Sequence, residues 1–298
     1  MSKAYDDLLN VQAESAKDEK AAFVEESKKN RTFCYEKAEE MTKVVAENGE
    51  QFQLFLDLQS RFDRYTPNNE LLIMAQEPDA TRLGDYGYWK DHGAYIKRRE
   101  EPILILEPGK EYTREDGSIG TYYNAKKLYD VSQTTYRTRI TPAEGMDDRT
   151  LVRAVVSNPP VSIVSEEPKN MPEGKEAVFL PERDCILVKK GMGAHDIFRS
   201  LVPELVYASL AEGERDYDKN EDAMHANCVT YMLCKKHGVE PPAMDFSQIP
   251  AYFEGKEPKE IRSELSQMRE SMNTISGKMS KVLEADRKKE KHERGDAR

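Results

Sequence analysis

The stretch Pro203-Glu204-Leu205-Val206-Tyr207 has the outline of a zinc-hydrolase helix without its ligands. An HExxH helix sets two histidines one turn apart, so that both imidazoles face one metal. The glutamate between them is the base for the metal-bound water. Here the histidine positions hold Pro203 and Tyr207, and only Glu204 remains, a vestigial general base. Proline in a helix interior removes a hydrogen bond at a cost of about 3 kcal/mol, so a kink is also expected. A different metal set can be drawn from Glu221, His225 and Cys228, at i, i+4 and i+7 of one helical face, with Glu204 as fourth ligand. The plainer reading makes His225 and Cys228 packing residues of a buried helix, and then no metal and no cofactor is expected. No nucleophile elbow, phosphate loop or dinucleotide fingerprint occurs in the chain.

A second set of residues suits nucleic acid. Arg61, Arg64, Arg82, Lys90, Lys97, Arg98 and Arg99 are interleaved with Tyr65, Tyr86, Tyr88, Trp89 and Tyr95. Single strands are bound by cations along a groove and aromatic faces on which bases stack. Acidic residues of the same region balance the basic ones, so this chemistry requires the cations to be segregated on a surface. The competing reading puts Trp89 and the tyrosines in a core and the cations on a solvated face. Asn68 and Asn69 read first as a helix cap, and Gln133 serves either a ligand or the backbone.

The elements that must position these residues follow from periodicity and turn signals. Residues 1–30 read as a flexible or helical lead-in, rich in Asp, Glu, Lys and Ala. Helical stripes follow through Phe33, Met41 and Val44, then, after a break at Asn48-Gly49, through Phe52, Phe55, Leu58 and Phe62. A short apolar helix is expected over Leu71–Ala75. Short strands are expected at Ala94–Lys97, Ile103–Leu106 and Lys127–Val131, with Asp116-Gly117 turning a hairpin. Prolines crowd residues 141–175, where the domain join is expected. A strand pair at 177–180 and 185–188 then leads to helices at about 194–211 and 219–237. Ile261, Leu265, Met268, Met272, Ile275, Met279 and Val282 alternate spacings of four and three. That heptad seam predicts either a self-associating coiled coil or a helix packed on its own domain.

Composition bounds the rest. A length of 298 residues allows two modest domains. Four cysteines without paired spacing read as free thiols, and with no signal-peptide core or membrane-length apolar run the expected location is cytoplasmic. A net charge of -10 argues against indiscriminate polyanion binding, though not against a local basic groove.

One run of motifs resembles a known family. Leu58-Gln59-Ser60-Arg61-Phe62-Asp63-Arg64-Tyr65-Thr66-Pro67-Asn68-Asn69 continues into Leu71-Leu72-Ile73 and Pro78-Asp79-Ala80-Thr81. Trp89, Gly93, Ile105-Leu106-Glu107-Pro108-Gly109 and Tyr129-Asp130-Val131-Ser132-Gln133-Thr134 follow in order. Together they are similar to ArdC-type antirestriction proteins of plasmids and conjugative elements, over about residues 50–240. The resemblance implies a single-stranded-DNA-binding N-terminal domain and a zincin-like metallopeptidase domain, here degenerate because the metal ligands are missing.

The expected fold class is therefore α+β. A helix-then-sheet DNA-binding module is placed at 31–145, a degenerate zincin-like domain at 146–252, and a coiled-coil helix with a basic tail at 258–298. The leading functional expectation is a noncatalytic ArdC-like protein of a mobile element that binds single-stranded DNA and protects it during transfer. The DNA-binding candidates are Arg61, Arg64, Tyr65, Asn69, Trp89, Lys97, Arg98 and Gln133. The expected partners are single-stranded DNA and a second copy through the 261–282 heptads, with no membrane. The alternatives are a hydrolase with an altered metal site and a coiled-coil adaptor with no DNA role.

Overall fold

A computed structural model of the chain describes the backbone of residues 3–137, 147–212 and 219–296, and within these limits the side chains of residues 20–285. The first elements are α1 (Lys3–Glu47), α2 (Gly49–Arg61), α3 (Pro67–Gln76), β1 (Leu83–Gly84), α4 (Tyr86–Asp91), β2 (Ile103–Thr113) and β3 (Ile119–Asp130). After them come α5 (Asp148–Val155), β4 (Ser162–Glu166), β5 (Ala177–Leu180), β6 (Cys185–Lys189), α6 (Ala194–Ala211), α7 (Ala223–His237), α8 (Ile249–Phe253) and α9 (Pro258–Asp296). The class is α+β, as the alternation of periods indicates. No helix among the described residues is long and apolar enough to cross a membrane.

The described residues fall into two compact units. One takes the chain up to Val44 and from Asn68 to Arg137; the other takes Val45–Pro67 and everything from Asp147 onward. This division by contact runs differently from linear limits, because α2 lies with the C-terminal elements. Its rings decide that: Phe52 packs against Phe246 and Phe253, with centroids 6.5 and 5.8 Å apart. The Asn48-Gly49 break is as the sequence indicates. Asn48 is extended and its side chain accepts the Gln51 N–H, capping α2.

The first unit is a three-stranded antiparallel sheet in the order β1-β3-β2 under helices. Cys34, Ala38, Leu72 and Leu106 form a buried cluster, with Leu104 and Ala125 packed against it. Two side-chain amides of α3, seven residues apart, close the outer edge of β2. Asn69 pairs with both backbone groups of Leu106 at 2.8 and 2.9 Å, and Gln76 with both of Leu104 at 2.9 Å. An open strand edge is thereby covered. Asn69 is thus an edge clamp inside α3 and not the expected helix cap. Gly117, at φ 81, turns the β2–β3 hairpin as expected, whereas the strand expected at Ala94–Lys97 shrinks to a single bridge, Ile96 to Thr134.

The second unit holds a sheet in the order β4-β6-β5, with β4 parallel and β5 antiparallel to β6. α5 and β4 fall where prolines had suggested only a join. α6 runs unbroken through Pro203, so no helix end accompanies the proline. α9 corrects the coiled-coil expectation. Leu265, Met268, Met272 and Met279 are each no more than 1% exposed, within this unit and against α5 and α7. The heptad seam is therefore core, and its apolar face is not left for a second copy.

Candidate nucleic-acid interface

The site residues of the first unit are organised by one buried carboxylate. Asp130, at the end of β3, accepts the N–H groups of Thr81 and Arg82 at 2.7 and 2.8 Å through one oxygen, and that of Ser132 at 2.8 Å through the other. Burial opposes its charge, but the N–H donors of Arg82, Ser132 and Thr81 outweigh burial and lower its pKa below the usual value. Gln133 completes a capping box by accepting the Asp130 N–H.

Arg82, fixed by that carboxylate, sits among rings. Its guanidinium carbon lies 5.5 Å from the Tyr88 and Trp89 centroids and 4.9 Å from that of Tyr136, and its Nε and Nη2 donate to the Tyr88 hydroxyl. Tyr88 in turn packs on Gly84, where a methyl group would overlap the ring. Trp89 is fully buried and donates to the Tyr129 carbonyl at 3.0 Å. Its face is closed to a stacking base, so the sequence assignment of Trp89 as a DNA contact is corrected to a core role. Asn69, which clamps β2, is corrected in the same way.

Gln133 is also buried, and it too is a support. Its carbonyl accepts the Lys97 N–H at 2.9 Å and its amide donates to the Glu101 carbonyl at 2.8 Å. The Tyr95 carbonyl accepts the Thr135 N–H at 2.9 Å, and the Tyr95 N–H donates to the Thr135 hydroxyl at 2.9 Å. The strip from Tyr95 to Arg99 is thereby tied to residues 133 and 135, with Tyr95 69% exposed and Lys97, Arg98 and Arg99 also exposed. The Lys97 ammonium donates to the Ser132 carbonyl, and Glu100 and Glu101 adjoin the strip. Tyr86 is exposed as well, at 60%.

Of the eight candidates, Lys97, Arg98 and Gln133 are thus neighbours and Trp89 lies beneath the same unit's surface. Arg61, Arg64 and Tyr65 belong to the other unit, at the end of α2. There Arg61 donates to the Asp57 carbonyl at 3.3 Å and Tyr65 meets Phe62 edge-on. Sequence reasoning missed Tyr136 as a neighbour of Arg82. It also missed the exposed Tyr112, Tyr122 and Tyr123 of the hairpin. The Asp-x-Ser-Gln capping pattern at 130–133 was a readable signal for the support.

The vestigial base of the second unit is occupied. Glu204 is buried on α6; one of its oxygens accepts the Phe179 N–H of edge strand β5 at 2.8 Å, and both lie 2.8 Å from the Lys219 ammonium. That ammonium also sits 4.6 Å from the Tyr207 ring centroid. Burial, then the charges of Glu204 and Asp222, push the Tyr207 hydroxyl up to about 12. His225 pairs with the Ser271 hydroxyl at 2.9 Å, and burial raises the Cys228 thiol well above its ordinary range. Glu221 is exposed. Among the described residues no three His, Cys, Asp or Glu side chains converge as metal ligands, so the alternative set Glu204, Glu221, His225 and Cys228 is not assembled.

No family model matches the sequence, and no curated protein matches it. Solved structures do. The chain is similar to ArdC. The metal-free structure of that antirestriction protein from the R388 plasmid aligns with a TM-score of 0.48 at 16% identity, over 73% of this chain and 86% of the ArdC chain. The Mn(II)-bound ArdC structure gives 0.47 at 16% identity, over 73% and 84%.

Proposed function

We propose that this chain binds single-stranded DNA without cleaving it, and that as an ArdC-like protein it shields the strand of a mobile element during transfer. The observation that carries the reading is the Tyr95–Arg99 strip. The exposed Tyr95 ring is followed, two residues on, by three consecutive exposed cations, on a backbone hydrogen-bonded to residues 133 and 135. Stacking on an exposed tyrosine is tolerant of base identity, and cations alongside follow the phosphates, which is the chemistry of single-strand binding. The ordered motifs shared with ArdC-type proteins support the same reading.

The test is titration of a fluorescent single-stranded oligonucleotide at two salt concentrations, with duplex DNA and single-stranded RNA as comparisons. Tight, salt-sensitive binding that favours the DNA single strand is expected, and Tyr95→Ala should weaken it by roughly 5- to 100-fold, as loss of a base–aromatic stack does. Absence of binding at low salt would overturn the proposal. A preference for RNA would replace the DNA role with an RNA one.

A further inference from the structure

Arg99 stands in a backbone conformation that its side chain disfavours. Arg98 and Arg99 are the central pair of a turn, and only the second has a positive φ, of 67°. A turn of that kind calls for glycine or asparagine at its third position, because a Cβ there crowds the following carbonyl. Among the described residues, the other two non-glycine residues with positive φ are Asn158 and Asp184, types that tolerate the region. Arg99 is the outlier among them.

Among the described residues, no side-chain contact accounts for the arginine. Its side chain is exposed, and among the described residues neither Arg98 nor Arg99 takes part in an ion pair. The turn is held from outside by Gln133, whose carbonyl binds Lys97 at one end and whose amide binds Glu101 at the other. The strain is thus borne by a support that leaves both guanidinium groups to solvent. A non-glycine residue kept in this region by its surroundings points to a functional site.

We infer that the turn Lys97–Glu101 is a phosphate-binding turn. Arg99 is its principal contact to the phosphodiester of a single strand, Arg98 contacts an adjacent phosphate, and Gln133 is the positioning residue. This inference rests on the single-strand reading and adds which residues of the strip contact the phosphates and which residue positions them. A guanidinium pairs with phosphate oxygens through two N–H donors, and displaying it from a rigid turn lowers the ordering lost on binding.

The experiment uses the full chain and three variants, Arg99→Gly, Arg99→Lys and Arg98→Ala. For each, a fluorescent oligonucleotide is titrated at several salt concentrations and the thermal unfolding midpoint is measured. Arg99→Gly relieves the turn, so its midpoint should be unchanged or higher. Its affinity should nonetheless fall roughly 5- to 30-fold, with the salt dependence reduced by about 0.7, the value of one phosphate contact on a single strand. Arg99→Lys should keep the salt dependence and recover part of the affinity. If the wild-type protein binds and Arg99→Gly binds equally with the same salt dependence, the phosphate-binding turn is refuted while the single-strand reading stands. If the wild-type protein binds no single strand, that reading fails and the inference with it.

Discussion

Glu204 occupies the place of a hydrolytic base, yet its two oxygens are taken by a backbone N–H and a lysine ammonium. Lys219 is half-exposed, so the weight of this lock lies in the charged acceptor it gives the buried Phe179 N–H, and a hydrogen bond to a charged group contributes about 1.5–3 kcal/mol. Glu204→Gln should therefore destabilise the chain by about 1–3 kcal/mol, read as a lower urea midpoint. An unchanged midpoint would argue that the carboxylate is kept for something other than this lock. His237 offers a pH-dependent counterpart. Burial and then Lys236 lower its pKa from 6.5 to about 4, and its Nε2 has no hydrogen-bond partner among the described residues. The unfolded chain takes up this proton more readily than the folded one. Stability from this group is therefore complete above pH 6.5 and is lost as pH falls from 6.5 toward 4. His237→Phe, which keeps a ring against Phe198, should flatten that part of the stability profile, measured by urea unfolding across the range.

At the scale of elements, the first unit's sheet depends on α3 for its outer edge. Asn69 and Gln76 together satisfy four backbone groups of β2 at Leu104 and Leu106. Removing either amide leaves a donor and an acceptor unpaired, which costs about 1–3 kcal/mol for a buried group. Asn69→Ala is expected to show that loss, together with faster amide hydrogen exchange at Leu106. Retained protection there would mean that the edge is covered by something else. The same reasoning explains why these amides do not read bases: their donors and acceptors are already matched. The basic strip, by contrast, is supported by backbone bonds and by Gln133, and its Tyr95, Arg98 and Arg99 side chains are left exposed.

For the molecule as a whole, α9 decides between assembly and folding. Its seam residues are covered by their own unit, so they stabilise a single chain. Leu265→Ala is expected to cost about 2–5 kcal/mol, as in other buried leucine truncations. The unfolding midpoint of both proteins should be independent of protein concentration. A midpoint that rises with concentration would restore the coiled-coil reading, since an oligomer is stabilised by mass action.

Signals that act within a few residues were legible in the sequence alone. The Asn48-Gly49 break, the Asp116-Gly117 hairpin, the limits of α6 and the missing metal ligands at Pro203 and Tyr207 follow from caps, turns and residue identity. The heptad spacing likewise established that α9 has one apolar face. What covers that face was not legible, because periodicity describes one element and says nothing of its neighbour. The same limit hid the partners of Asn69 at Leu106, 37 residues away, and of Glu204 at Phe179, 25 residues away. It also left Trp89 and Lys97 alike as candidates, although one is buried and the other faces solvent. The sequence by itself determined which residues could carry charge, stacking and caps; the tertiary structure decided which of them are already satisfied, because burial and pairing are set by contacts between distant parts of the chain.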